Sequence, residues 1–446
     1  MDRFAEIIAA ISAWIWGPPL LILLSGTHLY LTFRLGFIQR YLWKGIKLSV
    51  RGDLNSPGDI SQFGALAVAL ASTIGAGNIV GVATAIAAGG PGAVFWLWLT
   101  GVFGMATKYA EAVLAIHYRV KRDSGEYAGG PMYVLDRALG QKWLARLFCI
   151  FTIFAGLGMA NMVQSNTLIT MTQANFPTAN PSTIAIVGGL LLTAGVAAIL
   201  MGGIRSISRV STFLVPAMGI LYFVVCGVEL FRHFDRLPAT LNTILTTAFT
   251  GQAAIGGFAG ATMAAAMRFG IARGLFSNES GLGSAPIAAA AAKTANSVRQ
   301  GLVSATGTFW DTVIGCAITG LVVVNSGAWE SGLQGSALVH LAFSEGGTWV
   351  LWGLNLSLAL FVFTAIYGWA YYPEKAVEYL VGPKGILPFR IIWCAGVFVG
   401  AVSSTKMLWD FADIANALMA IPNLVTLLAL THIVRQETKT HLPHIT

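Results

Sequence analysis

Two short runs carry the chemistry of this chain. Gly75-Ala76-Gly77-Asn78 and Gly281-Leu282-Gly283-Ser284 share the form Gly-x-Gly followed by a small amide or hydroxyl residue, 206 residues apart. Each lies deep in a long apolar stretch, and each has polar neighbours: Ser72 and Thr73 before the first, Ser277, Asn278 and Glu279 before the second. Glycine inside a helix costs about 1 kcal/mol relative to alanine, so such runs favour local unwinding. Hydrocarbon cannot satisfy unwound backbone, which survives only where protein or a polar cavity surrounds it. Half-helices freed in this way aim N-terminal dipole ends at anions, while bare carbonyls and hydroxyls suit a cation such as sodium. One Gly-x-Gly alone reads first as a device for packing helices closely. Two at corresponding places, both beside polar residues, favour a pair of broken helices.

Enzyme chemistry finds no counterpart to these runs. Cys149, Cys226, Cys316 and Cys394 each sit alone in apolar sequence, which gives neither a CxxC metal site nor a disulfide framework. Five of the seven histidines, His28, His233, His432, His441 and His444, fall near helix ends or tails. No nucleophile with a placed base appears, nor any metal cluster. Composition agrees: of 446 residues 56% are hydrophobic and 10% charged, with a mean hydropathy of +0.71, against about 25% charged in soluble domains. A soluble enzyme, a disordered chain and a disulfide scaffold are all excluded. The net charge of +8 reports membrane orientation rather than nucleic acid, as its distribution shows.

A membrane helix needs about 20 apolar residues, and eleven stretches qualify: 12–33, 63–88, 92–117, 147–172, 183–202, 209–230, 255–292, 302–325, 348–372, 387–404 and 409–433. They are continuously apolar rather than alternating, which argues against a strand barrel. The first lacks a clean cleavage site, is preceded by Asp2 and Glu6 as well as Arg3, and is interrupted by Pro18-Pro19, unlike a signal peptide. Between these spans, 20 Lys and Arg fall on one side and four on the other, with Lys108, Arg268 and Arg273 inside spans. The positive-inside rule therefore places the N-terminus outside and the C-terminus in the cytoplasm, in a multi-pass plasma (inner) membrane protein. The whole of 1–446 forms one integral domain. If spans two and seven open equivalent five-helix units, 63–230 and 255–433 are halves inserted upside down to each other, and 12–33 is an addition.

Around these runs the sequence resembles the alanine or glycine:cation symporter family, the sodium:alanine symporters. The likeness is carried by Ala71-Ser72-Thr73-Ile74-Gly75-Ala76-Gly77-Asn78-Ile79-Val80-Gly81, by Gly89-Gly90-Pro91-Gly92-Ala93 and by Gly104-Met105-Ala106-Thr107-Lys108-Tyr109. Further blocks are Gly129-Gly130-Pro131-Met132-Tyr133, Arg273-Gly274-Leu275-Phe276-Ser277-Asn278-Glu279 and Met419-Ala420-Ile421-Pro422-Asn423. The resemblance implies an all-α fold of the leucine-transporter type, a 5+5 inverted repeat plus an N-terminal helix with helices two and seven broken. It also implies sodium-driven import of small neutral amino acids. Two residues depart from the pattern: Ala76 stands where threonine is usual, and Pro373 follows the paired tyrosines where glycine is usual, at what reads as a helix end.

From this likeness follow site expectations. Thr73, Gly75, Ala76, Gly77 and Asn78 would meet the substrate in the first break, the backbone N–H groups of Ala76, Gly77 and Asn78 holding its carboxylate. Carbonyls around Phe276, Ser277 and Asn278 would take the ammonium. Gln164, an amide at mid-span, either joins the substrate site or bonds another helix. Thr364 and Trp369 are weaker candidates, Trp369 as a wall limiting substrate size or as an interfacial anchor. Sodium, which needs hard oxygen ligands, would take the carbonyls of Ala71, Ile74 and Phe361 and the Thr364 hydroxyl. A second sodium would use Thr73, Asn78 and Ser277. No organic cofactor is implied.

Charges inside spans call for partners. Lys108 and Glu111, at i and i+3, suit a local ion pair, and Arg273, Glu279 and Asp311 either a buried structural network or direct cation or proton coupling. Competing functions are a proton-coupled or uncoupled amino acid carrier and, further off, a channel, for which no filter motif is present.

Overall fold

The computed structural model of the chain describes residues 8, 10–11, 14–53, 55–176, 178–250, 262–403 and 406–445. Its helices, in chain order, are α1 (Pro18–Arg34), α2 (Leu42–Val50), α3 (Gln62–Thr73), α4 (Val82–Gly89), α5 (Ala93–His117), α6 (Pro131–Arg137), α7 (Lys142–Asn175), α8 (Pro181–Leu200) and α9 (Gly203–Arg232). There follow α10 (Leu237–Thr250), α11 (Met263–Asn278), α12 (Ala285–Ala289), α13 (Ser297–Asn325), α14 (Gly335–Ser344), α15 (Thr348–Val381), α16 (Ile386–Val402), α17 (Lys406–Ala429) and α18 (Thr431–His441). A two-stranded hairpin, β1 (Val120–Lys121) with β2 (Tyr127–Ala128), decorates the loop after α5.

Seven of the helices are long and apolar enough to cross a membrane, and two bent pairs bring the number to nine. One pair is α1 with Ile38–Val50, bent by 68°; the other is α3 with Gly77–Gly89, bent by 58°. These nine correspond to nine of the eleven stretches read from sequence. Of the other two, 92–117 is the continuous helix α5, which carries Lys108 and Glu111. The stretch 255–292 divides into α11 and α12, and its first residues lie outside the described ones. One expectation fails outright: Pro373 is no helix end, because α15 runs through it to Val381. The ring finds room beside Gly156, whose missing side chain would otherwise stand 3.0 Å from Pro373 Cγ.

Large apolar side chains such as Leu191, Phe213, Ile391 and Phe231 face outward, the reverse of a water-soluble surface and the arrangement lipid tails require. Inside, α5 lies along α13 and α11, while α9 packs on α15 and α8 on α16. The broken pairs α3/α4 and α11/α12 pack on each other, α11 against α4 and α12 against α3. Their basic-side ends are tied together as well. Lys293 N–H donates to the Ile60 carbonyl at 2.7 Å, and the Arg119 guanidinium donates to the carbonyls of Pro57, Ala290, Ala292 and Thr294. Five such bonds make the start of one broken helix and the end of the other a single mechanical piece.

Candidate functional site

The first break is built by one side chain. In a continuous helix the Gly75 N–H would donate to the Ala71 carbonyl and the Asn78 N–H to the Ile74 carbonyl. Instead Gly75 N–H donates to Asn78 Oδ1 at 3.0 Å, and Asn78 N–H turns back to the Gly75 carbonyl at 3.2 Å. The carbonyls of Ala71 and Ile74 lose their helical donors in consequence. They are two of the four oxygens expected to hold sodium. The other two are adjacent on α15, where Thr364 Oγ1 lies 3.0 Å from the Phe361 carbonyl. The two helices meet here without side-chain spacers: a Cβ on Gly368 would stand 2.8 Å from Ser72 Oγ, and one on Gly75 3.5 Å from Ala365 Cβ.

The second break begins at Glu279, a non-glycine residue with φ of 55°, and continues through Gly281 at 92° and Gly283 at 83°. Its loop is held from below by Glu111, whose Oε1 accepts the N–H groups of Gly281 and Gly283 and the Asn423 amide at 2.7 Å. Glu111 therefore caps the broken helix rather than pairing with Lys108, whose ammonium makes no hydrogen bond. The last turn of α11 leaves carbonyls at Phe276, Ser277 and Asn278 without helical donors, while the Asn278 side chain accepts Ser280 N–H. Alanine at Gly281 would meet the φ penalty of about 1–2 kcal/mol and bring its Cβ to 2.6 Å from Leu24 Cδ2. We expect Gly281→Ala to lower the melting temperature of the purified protein, measured by intrinsic fluorescence; an unchanged value would contradict this geometry.

Between the breaks lies a tight cavity of about 20 Å³. Of the substrate residues expected from sequence it is lined by Thr73, Gly75, Gly77, Gln164, Phe276, Ser277 and Trp369. Ala76, Asn78, Asn278 and Thr364 are not on its wall. Asn78 and Asn278 shape the breaks from behind, and Thr364 faces Met218 and the Phe361 carbonyl. Gln164 directly follows a π-helical stretch of α7, Gly156–Val163, an irregularity common at functional sites. Its Oε1 is buried without a partner, and its amide group lies 3.5 to 3.7 Å from the Cβ position of Gly75.

Two carboxylates missing from the expected site enter it. Glu279 lines the cavity, and its oxygens accept Trp369 Nε1 at 2.7 Å and the Ser284 hydroxyl. Trp369 is thereby a fixed wall and no interfacial anchor. Asp311, in a π-helical stretch of α13, accepts Asn78 Nδ2 at 2.8 Å, Ser277 Oγ at 2.9 Å and Thr312 Oγ1 at 2.7 Å. One carboxylate thus joins the two breaks through neutral donors, and the network expected with Arg273 does not form. The Arg273 guanidinium lies 5.8 Å from the Phe276 ring centroid, its charge opposed by Asp413. Sequence gave no direct sign of the pairs, since Asn78 and Asp311 are 233 residues apart and Trp369 and Glu279 are 90 apart.

Residues 1–444 match the model of the Sodium:alanine symporter family. The chain belongs to this family. Among its relatives, the Sodium/alanine symporter AgcS of Methanococcus maripaludis is 45% identical, over 98% of this chain and 97% of its own. An uncharacterized transporter of Haemophilus influenzae is 47% identical, over 97% of this chain and 95% of its own. Among solved structures, that of MhsT in complex with L-phenylalanine matches with a TM-score of 0.59 at 14% identity, covering 84% of this chain and 89% of that one. The shared fold is the leucine-transporter type. Family membership and the transporter relatives make the chain an amino acid:cation symporter and not an enzyme.

Proposed function

We propose that this protein imports alanine or glycine together with sodium, from outside to cytoplasm, by alternating access. The observation that carries this reading is the cavity at the two breaks, where the unpartnered oxygen of Gln164 and the bare carbonyls of α11 face the glycines of the first break. An ammonium group fits the oxygen side: Gln164 Oε1 and the Phe276 and Ser277 carbonyls are all acceptors. The carboxylate fits the N–H of Gly77, on the cavity wall at the positive end of the helix continuing into α4, while Ala76, expected to serve with it, lies off that wall. Asn78 N–H, also expected to serve, is taken by Gly75. Phe276 and Trp369 close the sides, and the hydrogen bond to Glu279 stops the indole from turning away to admit a larger side chain. The name of the Methanococcus maripaludis relative supports the same substrate and ion.

Sodium occupies the oxygens of Ala71, Ile74, Phe361 and Thr364, bridging α3 to α15. Asp311 joins Asn78 and Ser277 as the second cation position, while Thr73, whose hydroxyl back-bonds to Ala69, contributes from the cavity wall. None of the hydrogen-bond partners of Asp311 is charged, its counter-charge Lys108 acts without a hydrogen bond, and a buried carboxylate is costly, so a cation there relieves it. The broken pairs with α5 and α13 form a moving bundle against α7, α8, α9, α15 and α16, in halves 63–230 and 255–433 of opposite orientation. Ligands that touch both parts favour their closure.

In proteoliposomes, labelled alanine accumulates when sodium is higher outside. Accumulation that ignores sodium but follows a proton gradient would replace this reading with proton coupling, and ion-independent equilibration would replace it with a facilitator. Gln164→Ala removes one acceptor of a charged group, worth about 1.5–3 kcal/mol. The expected result is an alanine concentration for half-maximal uptake raised by about tenfold or more. An unaltered value would return Gln164 to a helix-packing role.

A further inference from the structure

A second cavity, about 340 Å³, opens between α3 and α9 away from the substrate. Its depth is buried and apolar, with Leu66, Tyr222 and Phe361, and it ends against Asn78 and Gly315 behind the first break. Its rim is exposed: Val50 is 78% accessible and Ile220 65%. The Tyr222 hydroxyl is engaged with Thr319 at 2.7 Å and offers nothing to a polar guest. At Gly219, on the α9 wall, an added Cβ would meet no atom within 4 Å. The space is shaped for hydrocarbon, and its outward rim faces lipid rather than water.

Charge sets the rest of the occupant. Beyond the rim, Lys47 lies one turn before Val50 on α2, and Arg209 shares a face of α9 with Pro216, two turns nearer the basic end. Both are exposed. No Asp or Glu occurs on α2, nor on α9 before Glu229. Cations on both walls at the mouth of an apolar slot match a negatively charged head on a hydrocarbon chain.

We propose that this groove is a site for an anionic phospholipid, one acyl chain lodged between α3 and α9 and the phosphate held at the Lys47 and Arg209 end. The chain lies between the first broken helix and α9 and props the pair at the spacing seen here.

The test uses purified full-length protein freed of lipid, melted with added dioleoyl phosphatidylglycerol or dioleoyl phosphatidylcholine, and native mass spectra of the same samples. The expected result is a melting point raised several degrees more by phosphatidylglycerol, with one retained phosphatidylglycerol per chain. Gly219→Phe, whose Cβ meets no neighbour and whose ring projects from the α9 wall, loses that adduct and most of the shift. Lys47→Gln with Arg209→Gln, both at the surface, keeps lipid binding but loses the preference for the anionic head. Equal shifts from the two lipids in the unmodified protein would overturn the proposal, as would an unchanged preference in the double variant. Neither readout involves transport, so the outcome is separate from that of the substrate assignment.

Discussion

Gly77→Val is expected to abolish alanine uptake, by about 100-fold or more, equivalent to about 2.7 kcal/mol, while the protein still inserts and melts normally. The reason differs from the usual one for glycine. Gly77 has no positive φ, so valine can adopt its backbone, and an added Cβ would approach only the Phe276 ring, at 3.7 Å. On the proposed function the glycine is needed for room, because Gly77 lines the cavity between the breaks. Valine methyls would occupy the volume assigned to the amino acid. Uptake and binding of labelled alanine by the purified variant check this, with membrane abundance measured alongside. Normal transport by Gly77→Val would mean that the substrate lies elsewhere.

Asn78→Ala should be as damaging, by way of the ion. The Asn78 side chain accepts the Gly75 N–H and donates to Asp311, and with alanine both bonds go. Gly75 N–H is then free to bond the Ala71 carbonyl, which re-forms the helix across the oxygens assigned to sodium. A bond to a charged group is worth about 1.5–3 kcal/mol, so the sodium concentration for half-maximal uptake should rise about tenfold or more, the alanine concentration being held fixed. The conservative Asn78→Asp keeps an acceptor for Gly75 but sets a second carboxyl against Asp311, and should not rescue. A sodium curve superimposable on that of the unmodified protein would remove Asn78 from the ion site.

Much of this architecture could be read from the chain because membranes impose coarse rules. Continuous apolar length marks spans, and glycines beside polar residues mark where a helix opens; Gly281 and Gly283 do take the positive φ that a break requires. What could not be read depends on contacts between distant elements. Glu111 looked like the partner of Lys108 three residues away, yet two backbone N–H groups of the second break and the Asn423 amide outbid a local ion pair. Asp311 sits in an ordinary apolar span until α13 is packed against both breaks. Pro373 reads as a terminator, since proline removes a helical donor, but Gly156 on α7 makes space for a helix that continues. Thr364 and Asn78 were read as touching substrate because their span was right; which face of each helix meets the cavity is decided by packing.

In the proposed function two interrupted helices hold an amino acid and sodium jointly, each ligand completing the site of the other. Equilibrium binding of labelled alanine to purified protein, in sodium chloride and in choline chloride at equal ionic strength, tests it most directly. Binding should saturate in sodium and be lost in choline, with a matching loss of sodium affinity when alanine is withheld. Equal alanine affinity in both salts would contradict it.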